Sequence, residues 1–262
     1  MGGELQIIDW NIKFTGYIKK KLEFLFSVAE KDYFIILQEV TREDYSYIEK
    51  IYGENCNFVY SLDCRKSGMF DSSSRKLGTL IVCGKNIKVI EYGIVERALL
   101  PERTVWAVTE YEGRQIKIFG VHSLARSGFG KAKSLQYEAI SEFLYEFRPD
   151  IIGVDANEPE TDSYDIDKMR FYDDNEGSYG AACFFRTVKN IGLKDAYVSA
   201  NKIAECDNGC LAVSYNVCGT GDVRFDFLFV NNKFTALCCK YLYKEALEAG
   251  SDHALITACF NV

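Results

Sequence analysis

The sequence predicts an α/β fold in which two β-sheets pack together with helices outside them. Strands and helices alternate at the start of the chain, and β-rich runs dominate its middle and end. The apolar fraction, 48% of 262 residues with 14% aromatic, is ample for a large buried core. A typical domain takes about 100–200 residues and large α/β folds run longer, so a single domain over 1–262 is expected.

The elements follow in order. "LQIIDW" (5–10) reads as a buried strand, and residues 17–30 then place Ile18, Leu22, Leu25 and Ala29 at helical spacing. "DYFIILQ" (32–38) is a second buried strand. Thr41 with Asp44 forms a capping-box pattern, and Tyr45, Ile48 and Tyr52 mark one face of the helix it opens. "NFVYSL", "GTLIVCG", "IKVIEYGIV", "RTVWAVTEY" and "QIKIFGVH" are β-rich runs, the last two joined through "YEGRQ" as a hairpin. Residues 131–147 form a helix with Ala132, Leu135, Ala139, Phe143 and Phe147 expected on its buried face. "DIIGVD" (150–155) is a further strand, followed by a long polar loop and a helix near 179–191. "RFDFLFV", "FTALCCKYLY" and "ALITACF" close the chain as strands.

Composition narrows the function classes. No apolar stretch approaches the roughly 20 residues of a membrane span. The opening "MGGELQ" lacks the basic and apolar regions of an export signal, so a cytoplasmic location and no membrane partner are expected. The ten cysteines then read mostly as reduced core hydrophobes, with a metal clip at "CDNGC" (206–210) and Cys218 as the lesser alternative. Net charge is 31 − 38 = −7, which counts against a protein that binds polyanions by charge alone. Most of the net charge falls in residues 157–176, where eight acids (Glu158, Glu160, Asp162, Asp165, Asp167, Asp173, Asp174, Glu176) face only Lys168 and Arg170, a local charge of −6. That segment is expected either to repel long polyanions from a neighbouring site or to be a plain solvated excursion.

Polar groups recur where buried strands end. Asn11 follows "QIIDW", Glu39 follows "FIILQ", His122 ends "IKIFGV", and Asp155 ends "IIGV" with Asn157 two residues on. Asp226 lies inside "RFDFLFV", and Asp252 and His253 precede the final strand. Each has a bland reading as a cap, a turn or a structural histidine. Asp226 has the weakest one, because an ionised carboxylate inside an apolar strand is costly unless it is paired. Strand ends converge at a sheet rim, so these distant residues can meet in one pocket.

The set "DWNI" (9–12), "LQEV" (37–40), "GVHSL" (120–124), "VDAN" (154–157), "RFDFLF" (224–229) and "SDHAL" (251–255) resembles, in order and spacing, the endonuclease/exonuclease/phosphatase superfamily. One departure is that Val154 directly precedes Asp155, with Gly153 displaced by one. The resemblance implies a four-layer α/β sandwich, two mixed sheets face to face with helices outside, and a divalent-metal phosphoesterase site at one rim. It implies catalytic roles for His122, Asp155, Asn157, Asp226 and His253, and a site for Mg²⁺, with Mn²⁺ as substitute, at Asn11, Glu39 and Asp252. In that reading Asp155 prepares the attacking water, His253 donates to a phosphoryl oxygen and Asp226 holds the other ring nitrogen of His253. Arg126, Lys131 and Lys133, in "ARSGFGKAK" (125–133), are candidates for gripping flanking phosphates, with a solvated loop and helix start as the alternative. Phe129, Phe171 and Tyr172 are the aromatics that could meet a base, with core or loop positions as the plainer reading. Nucleic acid is the expected substrate. A small phosphoester, such as a phosphoinositide or sugar phosphate, is the alternative, and a non-catalytic scaffold the remaining one.

Overall fold

A computed structural model describes residues 4–66, 75–125, 129–172, 179–204, 210–218 and 221–261. The first sheet is built from β1 (Glu4–Asn11), β2 (Tyr33–Val40), β3 (Cys56–Tyr60), β4 (Gly78–Gly84), β13 (Thr235–Leu242) and β14 (Leu255–Asn261). Its order is β13-β14-β1-β2-β4-β3. The second sheet holds β5 (Lys88–Gly93), β6 (Thr104–Tyr111), β7 (Arg114–His122), β8 (Ile151–Asp155), β9 (Lys194–Asp195) and β12 (Asp226–Val230). Its order is β5-β6-β7-β8-β12-β9. A small ribbon pairs β10 (Tyr215–Val217) with β11 (Gly221–Val223).

Alternation along the strands builds the layers, because successive side chains point to opposite faces. On β1, Leu5 and Ile7 enter the core between the sheets, while Ile8 and Trp10 face outward. On β2, Phe34 and Ile36 point in and Ile35 and Leu37 out. The outer face of the first sheet is covered by α1 (Ile18–Val28), α2 (Arg42–Tyr52) and α6 (Tyr243–Ala249), through Leu22, Leu25, Ile48 and Ala246. The outer face of the second is covered by α3 (Lys131–Phe147) and α4 (Gly180–Asn190), through Tyr137, Ile140, Phe184 and Phe185. A short α5 (Ala196–Asn201) follows β9. The four-layer sandwich expected above is the observed architecture.

Local signals behave as the chemistry requires. Thr41 and Asp44 form a reciprocal capping box on α2. The β6–β7 hairpin turns through Glu112 (φ 49°) and Gly113 (φ 75°), both in the left-handed region that a tight two-residue turn needs. The expected face of α3 is corrected. Leu135 is 57% exposed, and the buried stripe is Lys133, Gln136, Tyr137, Ile140 and Leu144. The apolar count misled there because polar groups are buried with partners: Gln136 both accepts from and donates to the Leu100 backbone, and Lys133 meets Glu158.

The sheets pack tightly against each other beside β8. Gly120 and Gly153 are register partners on β7 and β8. A Cβ on Gly153 would lie 2.3 Å from Asp9 Oδ1 and 2.7 Å from Ile36 Cδ1, and one on Gly120 would lie 2.8 Å from Ile36 Cγ2. Ile36 of the first sheet therefore fills a notch in the second that only hydrogen side chains leave open.

Candidate active site

Strand parity decides which face each strand-end residue meets. Asn11 continues the inward series Leu5, Ile7, Asp9, and His122 continues Ile118 and Gly120. Asp226 leads Leu228 and Val230, and Asp155 follows Ile151 and Gly153. In the second sheet His122 pairs with Asp155 across β7–β8, and Asp226 pairs with Asp155 across β12–β8, so three functional groups stand in one row. Asn11 reaches this row from the opposite sheet, its Nδ2 donating to Asp155 Oδ2 at 2.8 Å.

Glu39 needs a device, since on simple alternation it would share the outward face of Ile35 and Leu37. A bulge between Leu37 and Val40 breaks the ladder with β4, and Glu39 takes φ 60°. Bulges re-aim side chains in this way. The Glu39 carboxylate accordingly lines the cleft, with Oε2 accepting from the Phe14 N–H at 3.1 Å and Oε1 3.7 Å from His122 Nε2.

The cleft has a volume of about 760 Å³. It brings together Glu39, His122, Asp155, Asn157, Asp252 and His253, with Asn11 and Asp226 buried directly behind them. His253 Nδ1 lies 3.0 Å from Asp226 Oδ2. Burial alone would lower the His253 pKa, but the Asp226 and Asp155 carboxylates outweigh it and raise it to about 10, so the ring is an imidazolium at neutral pH. Asp155 is pushed up to about 7, mainly by burial, with the Asp226 charge adding and His253 and the Asn11 amide opposing. Asn157, at φ 49°, gives its backbone N–H to Asp155 Oδ1 at 3.1 Å. His122 Nε2 sits 3.6 Å from Asp155 Oδ2. Its Nδ1 meets the buried Arg103 guanidinium, and burial together with that cation holds its pKa well below the ordinary value. A ring nitrogen that accepts from guanidinium carries no proton, so His122 is neutral.

The remaining candidates divide. Asp252 lines the cleft but is ion-paired with Lys13 Nζ at 2.9 Å. Lys131 is exposed at the first residue of α3. Arg126 lies outside the described residues, as does Cys206 of "CDNGC". The expectation that Lys133 grips phosphate is corrected: it is 2% exposed and its Nζ is 2.6 Å from Glu158. Phe171 is core, whereas Tyr172 lines the cleft. The acidic segment is partly neutralised within the fold, Glu158 by Lys133, Asp162 by Arg224, and Asp165 and Asp167 by Lys189.

Several functional groups escaped the sequence reading. Tyr215 packs on the His253 ring at 4.7 Å and stacks with Phe225, giving the cleft an aromatic wall. Arg103 precedes a strand in an unremarkable "PERT" and has no local signal. Asp9, inside the quoted "DWNI", lies beneath the row, and burial raises its pKa well above the ordinary carboxyl value. Gln38 donates to its Oδ1 at 2.7 Å. The buried Lys21 gives Nζ hydrogen bonds to the carbonyls of Lys13 and Thr15, at 2.5 and 2.6 Å, and so fixes the loop that carries Lys13 and Phe14.

The donor chemistry fits a hard divalent cation. Mg²⁺ takes oxygen ligands, needs only one or two carboxylates and keeps several waters. Glu39 offers a carboxylate at the open face of the cleft, and Asp252, ion-paired with Lys13, lines the same cleft. Asp155, Asp226 and His253 also have ligand atoms within 4.8 Å of one another, but His253 and Asp226 already satisfy each other there as an ion pair.

The fold is shared by several solved structures, one of them of an endonuclease/exonuclease/phosphatase family protein. Among solved structures, D. rerio TDP2 complexed with single strand DNA product matches at a TM-score of 0.67 and 17% identity, covering 99% of this chain and 100% of that one. The 3′ phosphatase NExo from Neisseria, bound to product DNA hairpin, also matches at 0.67 and 17%, covering 99% of each chain. An endonuclease/exonuclease/phosphatase family protein from Bacteroides thetaiotaomicron matches at 0.61 and 13%, covering 99% and 98%. No family model and no curated protein matches the sequence.

Proposed function

We propose that the protein is a divalent-metal-dependent phosphoesterase that hydrolyses phosphodiester bonds of nucleic acid. One observation carries the reading: a buried Asp226–His253 ion pair, Asp155 with its raised pKa, and Glu39 face a single cleft from two different sheets. Phosphodiester hydrolysis asks for a base near neutral pH, a cationic donor for the phosphoryl oxygens and a place for a cation. Asp155 is the base, oriented by the Asn11 amide and the Asn157 N–H, and it takes the proton of the attacking water. His253 donates from Nε2 to the phosphoryl oxygen, its tautomer and charge held by Asp226 at Nδ1. His122, neutral and steadied by Arg103, donates from its Nε2 side on the opposite flank. Glu39, with Asn11 and Asp252, would hold Mg²⁺ or Mn²⁺, which when bound supplies charge stabilisation of the phosphoryl and leaving oxygens. DNA bound to D. rerio TDP2 and to the Neisseria enzyme supports nucleic acid as the substrate class.

The test is a panel of single- and double-stranded DNA, RNA, abasic DNA and soluble phosphomonoesters, each with Mg²⁺, Mn²⁺ or EDTA. Cleavage of a nucleic acid that EDTA abolishes and that Asp155→Ala removes is the expected result. Turnover of the small esters alone, or of nothing, overturns the assignment.

A further inference from the structure

A second group of potential ligands lies on the outer face of the first sheet, at its edge. Cys238 of the edge strand β13 and Cys259 of β14 are direct cross-strand partners, next to a bulge that sets Leu237 out of register. Directly opposed residues of an antiparallel pair have Cβ atoms about 4.5–5.5 Å apart and share a face, and Cys259 Sγ donates to Glu30 Oε1 at 3.9 Å. Gln6 of β1 is the next partner in the same row. Its side chain accepts from the Glu30 N–H at 2.7 Å and so fixes Glu30 over the row. Glu4, two residues before Gln6, lies on the same face. As a result Cys259 Sγ and a carboxylate oxygen from each of Glu4 and Glu30 lie within 4.8 Å of one another. Among the described residues neither carboxylate forms an ion pair with a lysine or arginine.

We propose that Cys238, Cys259, Glu4 and Glu30 form a zinc site that clips the edge strand β13 to β14, β1 and the segment after α1. Cys259, Glu4 and Glu30 gather one sulfur and two carboxylate oxygens, and Cys238, opposite Cys259 on the same face, supplies the fourth ligand for Zn²⁺ by side-chain rotation, while thiolate excludes Mg²⁺ and Ca²⁺. Ideal tetrahedral ligands lie roughly 3.3–3.8 Å apart, given Zn–O near 2.0 Å and Zn–S near 2.3 Å. Rotation of the two exposed glutamates closes the difference. Without a cation, burial, the neighbouring thiol and the two carboxylates keep Cys259 protonated, pushed up to about 12, so metal uptake releases thiol protons. The site is separate from the cleft, since Cys259 stands six residues beyond His253, about 20 Å along an extended strand.

Titration of the whole reduced chain with Co²⁺ tests this. The expected result is a sulfur-to-cobalt charge-transfer band with strong tetrahedral visible absorption, saturating at one equivalent and bleached by Zn²⁺. Co²⁺ in the oxygen-lined cleft gives no such band, so failure of the phosphoesterase reading would leave this result untouched. Cys259→Ser and Cys238→Ser each abolish the band. Glu30→Gln, an exposed change that leaves folding intact by circular dichroism, weakens binding by about tenfold or more. Absence of the band in the unaltered chain, or its survival in Cys259→Ser, overturns the site.

Discussion

The two histidines of this protein occupy opposite flanks of one cleft, both nearly buried, and carry opposite protonation states. His253 faces Asp226 and is a cation, whereas His122 faces Arg103 and is neutral. Burial acts in the same direction on both, so the difference comes from the charge behind each ring. One flank therefore carries its positive charge on the imidazole ring itself, whereas on the other the charge stays on Arg103 behind a neutral ring.

The largest expected effect comes from removing the charged flank. His253→Gln lowers kcat about 10²–10³-fold, as removal of a transition-state donor does, and Asp155→Ala lowers it about 10²–10⁴-fold, as loss of the base does. Single-turnover kinetics at saturating metal check both. An equal loss in His122→Gln would erase the distinction between the flanks.

Asp226→Asn breaks the comparison at its source. The His253 pKa lies above the ordinary 6.5, so the ionised ring stabilises the fold fully below about pH 6.5, and this contribution is lost as pH rises through about 10. In the variant the imidazole titrates at lower pH, and the decline of thermal stability over that window flattens. Histidine NMR and melting curves across pH report both.

Arg103→Met is the mirror experiment. It removes the cation that, after burial, holds His122 neutral, so its pKa rises and the two rings become more alike. NMR separates the two easily, since the chain has only two histidines.

The smallest effect is expected at Lys21→Met, which touches neither ring. Loss of its bonds to the Lys13 and Thr15 carbonyls loosens the loop whose N–H grips Glu39, so the Mg²⁺ concentration for half-maximal rate rises severalfold while kcat at saturation changes less. Lys21→Arg restores part of it, which a purely packing role would not predict.

Much of this was legible in the sequence, for particular reasons. Asp226 stood out because a carboxylate amid "FDFLF" demands a partner, and His253 is that partner. Asn11, His122 and Asp155 were visible as polar ends of apolar runs, and parity then sends them inward. Glu39 was visible as a type but not as a direction, since the bulge that turns it leaves no mark in "FIILQEV". Arg103 and Tyr215 were invisible, because their neighbours along the chain say nothing of the rings they meet. The face of α3 was misread because buried Lys133 and Gln136 look like surface residues until Glu158 and Leu100 are placed against them.

The waist at Gly120, Gly153 and Ile36 bears on how such a chain can diverge. Two positions there tolerate nothing larger than hydrogen, and a third must be shaped to fill what they leave. Drift elsewhere can carry the sequence to 17% identity with chains of the same architecture, while a single methyl added at Gly153 would be driven into the Asp9 carboxyl beneath the polar row.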